Sequence, residues 1–177
     1  MIALVTGGSG SGKSAWAEGL AMRLCPGDKT YVATMRAWGA EGEARVARHR
    51  ALRAGKRFVT VERPLDLAGL ARDCPWEGRT VLLECTSNLL ANEMFDPEGA
   101  GERAVPAVLE GFRALMARAA HLIIVTNEIF SDGVTYDPDT ARYIARLGEV
   151  NQALAALADS VVEVVYGIPV PIKGELP

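Results

Sequence analysis

The chain has 177 residues, 49% of them hydrophobic and 23% charged, with a formal net charge of -3 and a pI near 5.5. That size and apolar fraction suit one domain, residues 1–177, with a real core, and the acidic balance excludes a general nucleic-acid binder. No apolar run approaches the roughly 18 residues of a membrane span, and the N-terminus lacks a secretion-signal pattern. Cys25, Cys74 and Cys85 show no C-x-x-C spacing, so neither a disulfide framework nor a zinc site is expected and a reducing, cytoplasmic location is.

Ile2-Ala3-Leu4-Val5-Thr6 reads as a buried strand. It leads into Gly7-Gly8-Ser9-Gly10-Ser11-Gly12-Lys13-Ser14, a full match to the phosphate-binding pattern G-x-x-x-x-G-K-[ST]. A helix follows over 13–24, where Trp16, Leu20 and Leu24 recur at helical spacing. Strand, glycine loop and helix in this order make a nucleoside triphosphate site. Glycines let successive backbone N–H groups curl round a polyphosphate at the positive end of the helix. Lys13 reaches the outer phosphates and the Ser14 hydroxyl can ligate Mg²⁺.

Further strands are expected at 30–34, 58–62, 80–85, 121–127 and 161–166, and further helices at 40–54, 65–72, 87–95, 102–119 and 139–157. Such alternation predicts an α/β fold with a mostly parallel sheet covered by helices on both faces. Ligands of open α/β sheets gather at the carboxyl ends of the strands. Glu84 closes one apolar strand, where a second Mg²⁺-positioning group is expected, and Thr126-Asn127-Glu128 closes another in the same layer. A lone acid there can also be just the polar end of an element.

Between Arg36 and Arg57 the cations Arg36, Arg45, Arg48, Arg50, Arg53, Lys56 and Arg57 face only Glu41 and Glu43, a cationic patch suited to phosphate. In a helix, Arg45, His49 and Arg53 share a face at i, i+4 and i+8. A solvated basic helix is one interpretation. The other is chemical: neighbouring guanidinium groups keep the imidazole neutral, the form able to act as a nucleophile, and hold a triphosphate beside it. Gly39, Gly42 and Gly55 flank this segment, which is expected to move as a unit. His121, just before an apolar strand, reads as a boundary residue.

These residues carry a resemblance through nearly the whole chain to the bifunctional adenosylcobinamide kinase / adenosylcobinamide-phosphate guanylyltransferase family of cobalamin biosynthesis. Its most specific marks are Arg45-Val46 with His49-Arg50, then Thr126-Asn127-Glu128, then Gly148-Glu149-Val150-Asn151-Gln152. Tyr31-Val32-Ala33-Thr34, Leu82-Leu83-Glu84-Cys85 and Gly167-Ile168-Pro169 also match. The resemblance implies a RecA-like P-loop fold, a homotrimer, and two activities. Adenosylcobinamide is phosphorylated with ATP or GTP. GMP is then taken from GTP by His49 as a phosphoramidate and passed to adenosylcobinamide phosphate. It also implies guanine-nucleotide contacts at Ala33, Thr34, Met35, Arg50, Ala51, Leu52, Arg53, Glu62 and Glu84. The chain departs from the family's pattern at Ser9-Gly10 and at Gly133 to Pro138. From the residues alone, a P-loop kinase for another small molecule and a non-catalytic nucleotide sensor stay open.

Overall fold

The computed structural model describes residues 1–36, 44, 47, 51, 53–73, 75–130 and 133–177. Seven strands form one sheet: β1 (Ile2–Thr6), β2 (Lys29–Ala33), β3 (Phe58–Glu62), β4 (Thr80–Glu84), β5 (His121–Val125), β6 (Ser160–Val165) and β7 (Ile168–Lys173), in the order β3-β2-β4-β5-β1-β6-β7. All neighbours are parallel except β6 and β7. Helices are α1 (Lys13–Leu24), α2 (Leu67–Asp73), α3 (Thr86–Phe95), α4 (Ala104–Met116, after a 3-10 turn at Gly101–Arg103) and α5 (Pro138–Leu157).

The strands are apolar throughout because both faces are covered. Leu4, Val32, Val81, Leu83, Leu122 and Ile124 point to one side, where α2 to α5 bury them with Trp76 and Phe112. Ala3, Val5, Tyr31, Leu82, Ile123 and Val125 point to the other, against Ala17, Leu20 and Ala21 of α1. Small residues on α1 let it lie close to the sheet and so fix the glycine loop before it. Gly111 serves a similar end: a Cβ there would stand 2.5 Å from Leu67 Cβ, so the contact of α4 with α2 needs a residue without one.

The strand expectations hold to within a residue or two at each end, and the α/β class with its mostly parallel sheet is confirmed. One strand, β7, was not expected. Ile168-Pro169-Val170-Pro171-Ile172-Lys173 carries two prolines, yet it pairs antiparallel with β6 at the sheet edge, where proline is tolerated. Of the helix expected over 40–54, residues 44, 47 and 51 are helical and residues 53–57 form a turn. His49, Arg45, Arg48, Arg50, Leu52, Gly39 and Gly42 lie outside the described residues.

Candidate nucleotide site

β1 ends at Thr6, and the glycine loop takes the chain to the first turn of α1. Gly10 (φ +72°) and Gly12 (φ +91°) hold left-handed conformations that side chains rarely adopt. A Cβ at Gly7 (φ +150°) would stand 2.5 Å from the Val164 carbonyl oxygen and 2.6 Å from Ser11 Oγ. Lys13, buried at its base, reaches back over the loop so that Nζ donates to the Gly8 carbonyl at 3.0 Å. Desolvation holds the Lys13 ammonium below the usual lysine range, opposed by the Glu84 carboxylate. Ser11 Oγ is buried without a hydrogen-bond partner among the described residues. A cradle that a Cβ would fill, lined by an unsatisfied hydroxyl and a buried lysine, suits a polyphosphate.

The register of the sheet brings the second half of the site to the same level. Ala33 lies opposite both Glu62 and Glu84, and Glu84 lies opposite Val125, so these strand ends form one row. From that row Glu84 reaches the loop: Ser14 Oγ donates to Glu84 Oε1 at 2.5 Å. The other carboxylate oxygen, Oε2, accepts from the Tyr31 hydroxyl at 3.2 Å. Tyr31 is buried, and both its burial and the Glu84 charge push its pKa up, so it remains a donor. With the phosphate oxygens of a nucleotide, Ser14 and Glu84 would make a hard oxygen set of the kind Mg²⁺ takes, a cation content with one or two protein ligands. Among the described residues no group of three or more His, Cys, Asp or Glu could hold a metal by itself.

Sequence reasoning gave Tyr31 no role, although a tyrosine in the inner strand next to the one bearing Glu84 was a readable signal. It also missed the lock between β2 and β4. Thr34 Oγ1 accepts from the Cys85 N–H and donates to the Cys85 carbonyl, both at 2.8 Å. Asn92 Nδ2 ties down the Thr34 and Pro64 carbonyls at 2.9 and 3.0 Å. These bonds fix the residues next to Met35 and Glu84, Thr34 and Cys85. Asn127 Nδ2 donates to Ser87 Oγ at 2.6 Å, and the Glu128 N–H donates to the Gly7 carbonyl at 3.1 Å, which joins the β5 end to the glycine loop. Burial pushes the Cys85 thiol up, so it stays protonated and packs as a core group.

The cationic patch is smaller than the sequence count implied. Arg36 pairs with Asp96 at 2.7 Å, Lys56 with Glu18 at 2.5 Å and Arg57 with Asp28 at 2.9 Å. Each acid comes from another part of the chain, which no window of sequence could reveal. Arg53 is different. Its guanidinium stacks 3.5 Å from the Tyr31 ring centre, and its Nε and one terminal nitrogen are buried without a hydrogen-bond partner among the described residues. The structure thus brings Lys13, Ser14, Glu84, Tyr31 and Arg53 into one connected cluster. Ala33, Thr34 and Met35 border it. Glu62 stands exposed at the end of β3, and Ala51 is exposed. His49, Arg50 and Leu52 lie outside the described residues.

The flagellar accessory protein FlaH of Methanocaldococcus jannaschii has a similar fold, with a TM-score of 0.53 at 13% identity over 98% of this chain and 78% of its own. Strand β5 lies between the strand that feeds the glycine loop and the strand that ends in Glu84, the arrangement of a RecA-like P-loop fold. Sequence relatives are far nearer. The bifunctional adenosylcobalamin biosynthesis protein CobP of Pseudomonas aeruginosa is 37% identical over 175 residues, 97% of each chain. The bifunctional adenosylcobalamin biosynthesis protein CobU of Escherichia coli is 37% identical over 188 residues, covering 98% of this chain and 100% of its own. The profile of the cobinamide kinase / cobinamide phosphate guanyltransferase family, CobU, matches residues 3–172. This chain belongs to that family.

Proposed function

We propose that this protein is a bifunctional enzyme of adenosylcobalamin biosynthesis, one domain that phosphorylates adenosylcobinamide and then transfers GMP to adenosylcobinamide phosphate. The observation that carries the reading is the Ser14–Glu84 contact at 2.5 Å beside Lys13, in a chain that matches its bifunctional relatives nearly end to end. The pairing of a phosphate loop with a carboxylate from β4 is a phosphoryl-transfer site rather than a passive anion pocket.

In the kinase step the acceptor hydroxyl oxygen attacks the γ-phosphorus of ATP or GTP. The bond from the γ-phosphorus to the bridging oxygen breaks, the nucleoside diphosphate leaves, and the hydroxyl proton is released. Lys13 and the loop N–H groups hold the phosphates in line. Ser14 and Glu84 would hold Mg²⁺, which supplies further charge neutralisation at the phosphate oxygens. In the transferase step a His49 ring nitrogen forms a bond to the α-phosphorus and pyrophosphate leaves. A phosphate oxygen of adenosylcobinamide phosphate then displaces His49, giving adenosylcobinamide-GDP. Arg50, Arg53, Ala51, Leu52, Glu62 and Ala33 to Met35 are assigned to the guanine nucleotide on the family resemblance, with the two Arg53 nitrogens that have no partner among the described residues as the structural support.

Incubation with α-labelled GTP and Mg²⁺, followed by a check for acid-labile label on the protein, tests the transferase reading. Label transfer to adenosylcobinamide phosphate is the expected outcome, and an unlabelled protein would sink it. A cytoplasmic homotrimer completes the proposal. Both rest on the family resemblance; among the described residues no helix is long and apolar enough to cross a membrane. Sedimentation equilibrium at three times the chain mass checks the assembly.

A further inference from the structure

Strand β6 runs two residues beyond the level at which β1 ends, since Thr6 lies opposite Glu163 and β6 continues to Val165. The turn into β7 therefore stands at the height of the glycine loop, and it is fastened there. The Gly167 N–H donates to the Ser11 carbonyl at 2.8 Å, and a Cβ on Gly12 would meet Gly167 Cα at 3.2 Å. The turn has two central residues, Tyr166 (φ +51°) and Gly167 (φ +80°), both left-handed as the commonest tight hairpin requires. Asn, Asp or Gly is favoured at its first position, so a tyrosine is an unfavourable choice for the backbone. Its ring gains nothing by burial either, since Tyr166 is 93% exposed. A costly residue with a bare aromatic face, one position from an N–H that grips the phosphate loop, points to a ligand.

Sheet order says which part of the ligand. Glu84 and β4 lie on one side of β1, and β6 with its turn lies on the other. A triphosphate whose γ end is held at Ser14 and Glu84 extends its nucleoside end away from them, toward the turn. Glu62 lies four strands from β1 on the opposite side, about 19 Å at ordinary strand spacing. No single pose puts the base both there and at Tyr166.

We propose that Tyr166 is the stacking platform for the purine base of the triphosphate that donates its γ-phosphoryl group, so that the kinase donor lies base toward β6 and β7. The guanine of the GMP-transfer step lies on the β2–β3 side. This rests on the kinase and transferase reading above, and it gives one phosphate loop two nucleotide orientations, one presenting the γ-phosphorus and one the α-phosphorus. Stacking suits the task because every base has a π-face.

The test is isothermal titration of the full chain with Mg²⁺ and either a non-hydrolysable ATP analogue or inorganic tripolyphosphate. Tyr166→Asn removes the ring and favours the turn, while Tyr166→Phe keeps the ring. The asparagine variant should bind the ATP analogue about 5–150-fold more weakly, and the phenylalanine variant within twofold of wild type. All three proteins should bind tripolyphosphate alike. The GTP concentration for half-maximal acid-labile labelling should stay within twofold in Tyr166→Asn. Unchanged analogue affinity in that variant, or an equal loss for tripolyphosphate, overturns the platform. An equal shift in GTP labelling overturns the two orientations. A wild-type protein that binds no tripolyphosphate removes the phosphate-loop reading itself, and this proposal with it.

Discussion

Lys13 carries a charge whose cost and use are both visible. Desolvation lowers its pKa in the folded chain, so between that value and the usual lysine range the unfolded chain binds more protons. Folding stability of the free protein therefore rises with pH in that window. A bound triphosphate reverses the balance by favouring the ammonium, so binding should take up protons at alkaline pH. Titrations in buffers of different ionisation enthalpy, at a pH just below the lysine range, check this; binding with no proton uptake would contradict it. Lys13→Ala should remove kinase and transferase turnover together, since both begin with the same phosphates. Normal kinase rates in that variant would refute its role. Tyr31 offers a finer probe. Tyr31→Phe keeps the ring under Arg53 and deletes the bond to Glu84 Oε2. The Mg²⁺ concentration for half-maximal kinase rate should rise about 3–10-fold, the size of one ordinary intramolecular hydrogen bond, with little change in melting temperature. An unaltered Mg²⁺ dependence would mean that Tyr31 only packs.

At the scale of elements, the strand–loop–helix unit was legible because Ile2 to Ser14 carries its own signals: an apolar run, glycines and a lysine at fixed offsets. The strand at 80–85 was legible from the apolar run Val81-Leu82-Leu83. What escaped depended on contacts distant in sequence. The prolines of β7 hid a strand that needs only β6 as a partner, and the acids paired with Arg36, Lys56 and Arg57 lie 60, 38 and 29 positions away. Glycines in helices show the same limit. Gly111 and Gly148 look alike in sequence, but a Cβ at Gly111 would strike Leu67 Cβ at 2.5 Å and the Ala68 nitrogen at 3.0 Å, whereas at Gly148 the nearest atom is 3.7 Å away. Gly111→Ala should cost about 1–3 kcal/mol by forcing α2 and α4 apart. Gly148→Ala should be neutral or gain up to about 1 kcal/mol from helix propensity. Denaturant unfolding of the two variants measures both, and equal effects would refute the packing argument.

For the whole molecule the question is how one phosphate loop serves attack at two different phosphorus atoms. The family resemblance gave His49 a role that the basic segment alone left open, and the described residues reach that role only through Arg53. The two half-reactions separate it. Transfer of the γ-phosphoryl group to a hydroxyl needs positioning and charge neutralisation, which Lys13, Ser14 and Glu84 can supply without a covalent intermediate. Transfer of GMP through a phosphoramidate needs a nucleophilic nitrogen. His49→Ala should therefore lose acid-labile labelling and guanylyl transfer while keeping measurable phosphorylation of adenosylcobinamide. His49→Asn, which keeps a polar side chain without the nucleophile, should behave the same way, so a loss specific to the alanine variant would indicate a packing role. If either variant passed GMP on at the normal rate, the covalent route through His49 would be wrong. The Ser14–Glu84 half of the site would still stand, because its geometry does not depend on the histidine.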